Sequence, residues 1–193
     1  MLARLTGWGF SPEVLQRIGA LAVVWGVFES NLETALWALR GDEVAGVRPW
    51  TDKKPISEWI KELGSDWPKL TTEGKDVLRV ASLAAFELME YRHAIMHGAM
   101  IPSPTMPTFI RNPLWHGEER NRPSHVAHVD KNLLDMAIES AWILCQVVFV
   151  VKAACNEPEK IAKWAALKQE ASRARSMAGE LRHLTELMNH EKY

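Results

Sequence analysis

One apolar repeat near the start of the chain constrains the fold more than any other feature. Between residues 12 and 40, large apolar side chains recur at steps of three and four: Ile18, Leu21, Trp25, Phe28, Leu32, Leu36 and Leu39. This spacing predicts one face of a single long helix. Ser11-Pro12-Glu13 is typical of a helix start, and Gly41 follows the last turn. Since a helix with one apolar face needs partners that cover it, the pattern predicts a helical bundle.

Later segments repeat the helical pattern. The periodicity predicts a short helix over Ile56–Leu63 and a second long helix over Lys75–His97, which Gly98 ends in the left-handed conformation that glycine accepts. Asp130 caps a very apolar helix to about Ala154, and a last helix begins at Asn156-Glu157-Pro158. The expected fold is all-α, an up-and-down bundle of four to five helices. Residues 1–156 form its main domain, and residues 157–193 form a C-terminal amphipathic helix.

Residues 99–129 interrupt the helical pattern. Five prolines fall in this insert, at 102, 104, 107, 113 and 123. Thr108-Phe109-Ile110 and Val126-Ala127-His128-Val129 lie between them and have the composition of short strands. We predict that these two segments pair as an irregular hairpin inside the insert.

Composition and motifs exclude several classes of protein. The net charge is -1, from 23 basic and 24 acidic residues, which argues against a protein that coats nucleic acid generally. The 2 cysteines have no CxxC spacing, so neither a disulfide framework nor a cysteine zinc site is expected. Charged residues interrupt the apolar run Leu133–Cys155, which favours a core helix over a membrane span. No targeting segment, G-x-S-x-G or glycine-rich phosphate loop is present, and we expect a cytoplasmic protein.

Two polar features stand out on these apolar helices. Glu29 lies inside the apolar stripe of the first long helix, where a carboxylate needs a partner. The second feature is Tyr91-Arg92-His93-Ala94-Ile95-Met96-His97-Gly98, which places an arginine and two histidines at the end of a packed helix. Taken separately, the two features are consistent with a Glu29–Arg92 core ion pair and with polar residues at a fraying helix end.

Together, these residues resemble the HEPN superfamily of helical bundles. Arg92 and His97 form R-x4-H near a helix end, with the polar His93 after the arginine and Gly98 after the histidine. Trp25-Gly26-Val27-Phe28-Glu29 is similar to the family's apolar helix with an embedded acid. The order of elements fits over residues 12–154, and the last helix lies outside the match.

The resemblance implies a metal-independent endoribonuclease that leaves 2′,3′-cyclic phosphate ends. It implies Arg92 and His97 as the catalytic pair, His93 as an accessory polar group and Glu29 as the carboxylate that orients Arg92. The family's site is shared by two protomers of a homodimer, and it needs no metal or cofactor. The same resemblance implies a toxin, stress or defence role, with an antitoxin or nucleotidyltransferase partner. No association with a membrane is expected.

The helix geometry limits how the two motif residues can meet. Five residues of regular helix place Arg92 and His97 about 140° apart around the axis. Either the last turn unwinds at Gly98, or the two side chains converge with the copies of a second protomer. Under this interpretation a monomer is inactive, and an isologous dimer is expected.

The insert supplies possible RNA contacts, because it mixes cations, amides and an aromatic side chain. These are Arg111, Asn112, Trp115, His116, Arg120, Asn121, Arg122, His125 and His128. An ordinary solvated loop would have a similar composition. On the last helix, the cationic side chains are expected to form its wet face: Arg173, Arg175, Arg182 and His183.

Two other functions remain open. A HEPN fold without catalysis would bind a nucleotide, RNA or protein partner through the same residues. Alternatively, His93 and His97 lie four residues apart, a spacing found in metal sites, and His116, His125, His128 or Glu29 would complete the site. Glu90 and His93 form one Glu-x-x-His half-motif, but a second copy is missing.

Overall fold

The protein folds mainly into helices, as the apolar periodicity predicts. A computed structural model describes residues 2–43, 45, 50–103, 106–113, 124–156 and 164–190. Within them lie helices α1 (Leu2–Gly7), α2 (Pro12–Arg40), α3 (Ile56–Leu63), α4 (Thr72–His97), α5 (Lys131–Asn156) and α6 (Trp164–His190), a 3₁₀ turn (Trp50–Lys53), and strands β1 (Ala99–Ile101), β2 (Thr108–Arg111) and β3 (His125–His128). The expected all-α class is confirmed in its coarse form, as a mostly helical bundle with one small sheet.

Helix α2 begins and ends where its sequence signals indicate. The Ser11 hydroxyl accepts a hydrogen bond from the Val14 amide at 3.3 Å, and Gly41 adopts a left-handed conformation with φ of 70°. The stripe is buried as predicted, with Leu21, Trp25, Phe28, Leu32 and Leu36 fully inaccessible. This helix is therefore a central element of the core.

The four long helices pack as a bundle. Helix α2 packs against α5, α5 against α6, and α6 against α4, while the short α3 contacts both α2 and α4. Small side chains allow the close approach of α6: Ala171, Ala174 and Ala178 are buried, with Leu181 at the same face. Helix α6 thus covers α4 and α5. The predicted start of this last helix lies largely in 157–163, outside the described residues.

Gly98 ends α4 for a different reason from the predicted one. Its backbone is extended, with φ of -84° and ψ of 158°, so the predicted left-handed conformation is wrong. A Cβ at this position would collide with the Ala94 carbonyl oxygen and lie 3.0 Å from the Ile110 carbonyl carbon. Glycine is required here because the chain turns sharply from α4 into β1 while the backbone of β2 passes close by.

The insert forms a three-stranded antiparallel sheet in the order β1-β2-β3. The predicted hairpin is confirmed: β2 pairs with β3, with Thr108 opposite His128 and Arg111 opposite His125. Strand β1 was not predicted. The Tyr91 hydroxyl donates a 2.8 Å hydrogen bond to the His128 carbonyl, and it fixes β3 against α4. The β2–β3 hairpin therefore packs against the end of α4. We call α4 the motif helix, because it carries Arg92 and His97.

Helix α5 is an apolar core helix between α2 and α6. By length and composition, its segment Lys131–Ala153 is long enough to cross a membrane, with a mean hydropathy of 1.8, and 56% of that window is buried in the bundle. Core helices of soluble proteins pass the same test, so the finding is weak evidence for a span. Among the described helices it is the one that meets this criterion.

The cap of α5 gives a testable stability prediction. The Asp130 carboxylate accepts a 2.8 Å hydrogen bond from the Leu133 amide. We expect Asp130→Ala to lower the free energy of unfolding by about 1 kcal/mol, because it leaves an amide of the first turn without its partner. Urea denaturation followed by tryptophan fluorescence measures the change. Asp130→Asn keeps the acceptor and should stay near wild type; equal losses in both variants would contradict the capping role.

Candidate functional site

A cluster of titratable and basic side chains lies where the end of α4 meets β2 and β3. The Arg111 Nη1 atom lies 3.2 Å from His93 Nδ1 and 3.5 Å from Glu90 Oε2. The same Glu90 oxygen lies 2.9 Å from His125 Nε2. We call Glu90, His93, His97, Arg111 and His125 the histidine cluster. The strand register produces it, because Arg111 and His125 are opposite each other in the hairpin.

His97 continues the cluster along α4. Its ring centroid lies 5.6 Å from that of His93, with the planes at 58°. The two residues are one turn apart on the same helix face. His97 is exposed, whereas His93 is half-buried. The outer histidine therefore has access to solvent and to a ligand, and the inner one is held by the protein.

His93 is kept neutral by its surroundings. Burial, followed by the nearby charges of Arg111, Arg92, His97 and His125, lowers its pKa from the usual 6.5 to about 4. The geometry agrees with this state, since a guanidinium N–H can only donate and so leaves Nδ1 of His93 as the acceptor. At neutral pH, His93 is an acceptor fixed beside a cation.

Arg92 differs from Arg111 in having no acidic partner among the described residues. The Arg92 Nε atom is buried, and no described residue accepts a hydrogen bond from it. The described residues also form no ion pair with its guanidinium, whereas Glu90 pairs with Arg111. A buried donor on a cation is costly to leave unmade. Arg92 is consequently suited to bind an anion that the described residues do not supply.

Glu29 does not pair with Arg92 within one chain. Its Oε1 atom accepts a 2.5 Å hydrogen bond from the Trp25 indole, and no hydrogen bond or ion pair joins it to Arg92 in the described residues. The packing explains this. Helix α2, which carries Glu29, packs chiefly against α5 rather than against α4, which carries Arg92; the short α3 contacts both α2 and α4. The carboxylate that organises the histidine cluster is instead Glu90, on the motif helix itself.

The end of α4 stays helical through His97. The Gly98 amide donates a 2.9 Å hydrogen bond to the Ala94 carbonyl, which closes the last turn. Arg92 and His97 therefore remain about 140° apart around the helix axis. Unwinding at Gly98, the first of the two expected ways to bring them together, is not observed. Convergence with the copies of a second protomer is the way that remains.

The other insert residues fall into three groups. His128 is fully buried, with Nδ1 3.0 Å from the Thr108 hydroxyl, so its predicted RNA contact is wrong. Asn112 follows β2 with a left-handed φ of 53°. Five predicted contacts lie outside the described residues: Trp115, His116, Arg120, Asn121 and Arg122. Of the predicted RNA-binding set, the histidine cluster therefore includes Arg111 and His125.

Most of the cationic side chains of α6 are tied to neighbouring acids. Arg175 Nη1 lies 2.8 Å from Glu87 Oε2, and Arg182 Nε lies 3.3 Å from Glu87 Oε1. Arg173 pairs with Glu139 of α5 at 2.9 Å. Arg173 and Arg182 are exposed, as predicted for a wet face, whereas Arg175 is half-buried, and the pairs join α6 to α4 and α5.

The described residues contain no group of three or more histidine, cysteine, aspartate or glutamate side chains placed to hold a metal ion. The Arg111 guanidinium also occupies the Nδ1 side of His93, where a second cation would be repelled. His116, one of the ligands considered for a metal site, lies outside the described residues. The spacing of His93 and His97 is thus used for ring–ring contact in this structure.

Sequence reasoning missed Glu90 as an organising residue. It was noted only as part of a Glu-x-x-His half-motif. In the structure it joins Arg111 and His125, two residues that the sheet brings in from the insert. Its position three residues before His93, on the same helix face, is the one sequence signal that pointed to it.

The neutral state of His93 predicts how stability depends on pH. The unfolded chain takes up a proton at this ring near pH 6.5, but the folded protein does so only near its lowered pKa of about 4. Stability should therefore fall as the pH is lowered from about 6.5 to about 4, on the order of 1 kcal/mol for this half-exposed group. Urea midpoints across this range measure the slope. His93→Gln should flatten it, and His183→Gln should not; an unchanged slope in His93→Gln would contradict the assignment.

Comparison of the chain with protein-family models, with curated proteins and with solved structures gives no match.

Proposed function

We propose that this protein is a metal-independent endoribonuclease of HEPN type that acts as a homodimer. The observation that carries the proposal is that one helix end presents, on two different faces, a solvent-accessible imidazole and a guanidinium that no described acid neutralises. These are His97 and Arg92. RNA cleavage by its own 2′-hydroxyl needs a group that moves a proton near neutral pH and a fixed cation for the phosphate, and these two types supply both.

The proposed reaction is an internal transesterification. The 2′-oxygen attacks the adjacent phosphorus, its proton passes to a base, and the bond from phosphorus to the 5′-oxygen breaks while that oxygen receives a proton. The products are a 2′,3′-cyclic phosphate and a 5′-hydroxyl. His97 moves the proton, because its exposed imidazole can exchange protons with the substrate. Arg92 binds the two non-bridging phosphate oxygens, where negative charge increases in the transition state.

The rest of the histidine cluster positions these two residues. His93 is held neutral against Arg111, and Glu90 in turn holds Arg111 and His125. Because Nδ1 of the neutral His93 accepts from Arg111, its Nε2 carries the hydrogen and can donate a hydrogen bond to the RNA, but the neutral ring has no acidic proton to transfer at pH 7. Arg92 and His97 lie on different faces of α4. They reach one phosphate when a second copy of the helix supplies one of the two residues, so the proposed active unit is the dimer.

A non-catalytic HEPN domain is the second candidate. One observation favours it: among the described residues, several basic side chains around the site are already paired with acids, such as Arg111 with Glu90 and Arg182 with Glu87. In this version Arg92 binds the phosphate of a nucleotide or RNA, and no bond is broken. A role in stress or defence, with an antitoxin or nucleotidyltransferase partner, is compatible with either candidate.

Cleavage of labelled, structured RNA by the purified protein in EDTA distinguishes the two candidates. The ribonuclease proposal predicts fragments with 2′,3′-cyclic phosphate and 5′-hydroxyl ends, identified by their resistance to phosphatase and ligation. Fragments with 3′-hydroxyl ends, or cleavage that requires added magnesium, would contradict it. Binding of RNA without cleavage, lost in Arg92→Ala and kept in His183→Ala, would favour the non-catalytic candidate.

A further inference from the structure

A cavity of about 380 Å³ lies between α4, β3 and α6, directly beside the histidine cluster. Glu90 and His125 line it and also belong to that cluster, so a group in the cavity lies next to these two side chains. The volume falls within the range of ligand-binding pockets and exceeds the need of a single water. A ring system of nucleobase size fits such a space.

One wall of the cavity is apolar and partly open. Phe86 of α4 is 44% exposed while it lines the cavity, and Leu181 of α6 forms a buried part of the wall. An exposed aromatic ring beside a cavity offers a π face on which a planar group can stack. This feature favours a flat aromatic ligand over an extended aliphatic one.

The polar rim of the cavity offers mainly acceptors. Glu186 contacts Arg182 through Oε1 at 3.5 Å, and its Oε2 atom makes no hydrogen bond with a described residue. The Thr185 hydroxyl oxygen is buried without a hydrogen-bond partner among the same residues. Of the basic residues on this rim, Arg182 is already bound to Glu87 and Glu186, and His125 contacts Glu90. A phosphate would be repelled here, whereas a neutral ring with N–H donors would be accepted.

We propose that this cavity binds a nucleobase near the scissile phosphate, and that it prefers guanine. Guanine presents two parallel donors, N1–H and N2–H, which match the two oxygens of one carboxylate; the other bases present no such pair at the corresponding edge. Glu186 is the acceptor and Phe86 the stacking partner. The link to a scissile phosphate rests on the proposed ribonuclease function, but the base preference does not.

Direct binding tests the cavity without relying on cleavage. Guanosine 3′-monophosphate and uridine 3′-monophosphate are titrated into the 193-residue chain by calorimetry. We expect the guanosine nucleotide to bind at least about tenfold more tightly, and Glu186→Gln to remove most of that preference, since an amide cannot accept both donors. Phe86→Ala should weaken both nucleotides. Equal affinity for the two nucleotides, or binding of neither, would overturn the proposal.

Matched variants separate a local effect from a change in fold. Leu83 lies one turn before Phe86 on α4, is 43% exposed and does not line the cavity. Leu83→Ala and Glu180→Gln on α6 should leave both affinities unchanged; a loss as large as that of the cavity variants would overturn the assignment.

The two proposals fail in different ways. Guanosine nucleotide binding without RNA cleavage would keep the cavity assignment and remove the ribonuclease function. Cleavage without guanine preference, together with binding of neither mononucleotide, would keep the ribonuclease function and remove the cavity assignment. Cleavage next to guanines that becomes indiscriminate in Glu186→Gln would support both.

Discussion

His97→Ala is expected to reduce the rate of RNA cleavage by about 10³-fold, because general acid–base catalysis contributes roughly 10²–10⁴-fold and this variant removes the imidazole that moves the proton. Arg92→Ala should cause a loss of about 10²–10³-fold, the scale for removing one donor that stabilises transition-state charge. Single-turnover cleavage of an end-labelled RNA in EDTA measures both effects. Each variant should keep the wild-type fold, since His97 is exposed and Arg92 has no acidic partner among the described residues.

Conservative replacements and a control histidine make this result specific. Arg92→Lys keeps the charge but loses the planar pair of donors, so its rate should lie between wild type and Arg92→Ala. His183 is also exposed, on α6, and has no place in the histidine cluster. His183→Ala should cleave like wild type. Full activity in His97→Ala would remove that residue from the reaction and point to a site elsewhere or to a contaminant.

Gly98→Ala is expected to lower the free energy of unfolding by about 2–3 kcal/mol, the cost of forcing extra atoms into a closely packed place. The added Cβ would collide with the Ala94 carbonyl oxygen and press on the Ile110 backbone. Relief requires the backbone at Gly98 to shift away from the Ala94 carbonyl and from β2, which changes how β1 and β2, with Arg111, sit at the end of α4. We therefore expect a loss of cleavage together with the loss of stability, because His93 would no longer be held in its contact with Arg111.

Gly26→Ala is the matched control for this substitution. Gly26 lies within α2, and a Cβ there would meet nothing within 4 Å. In a helix interior, alanine should be more stable than glycine by about 0.5–1 kcal/mol. Urea denaturation of both variants should thus give opposite signs. A Gly98→Ala protein as stable as wild type would contradict the close packing of Gly98 against the Ala94 carbonyl and the Ile110 backbone.

Elements with a local signal were predictable from the sequence. The stripe of α2 and the bounds of α3 follow from periodicity and caps, and the Asp130 cap lies directly before α5 as expected. The β2–β3 hairpin was predictable because two β-prone segments lie between prolines. The conformation of Gly98 was not, since the turn from α4 into β1 sets its backbone, and a Cβ there would collide with the Ala94 carbonyl oxygen and press on Ile110 of β2.

The candidate site was predictable only along the motif helix. His93 and His97 share a face because they are four residues apart, and the structure brings them into contact. Arg111 and His125 reach that face through the register of the hairpin, which no local pattern specifies. The Glu29–Arg92 pair was expected from charge alone. Helix packing leaves the two residues unpaired within one chain, and the Trp25 indole donates to Glu29 within α2.

The central claim is that Arg92 and His97 act together across two protomers, and mixing two inactive variants tests it most directly. Arg92→Ala and His97→Ala are unfolded together, refolded as a mixture and assayed for cleavage in EDTA. In a mixed dimer, one composite site has both wild-type residues, so we predict that activity returns in the mixture and is absent from either variant refolded alone. A mixture that forms dimers but remains as inactive as its components would contradict the shared site.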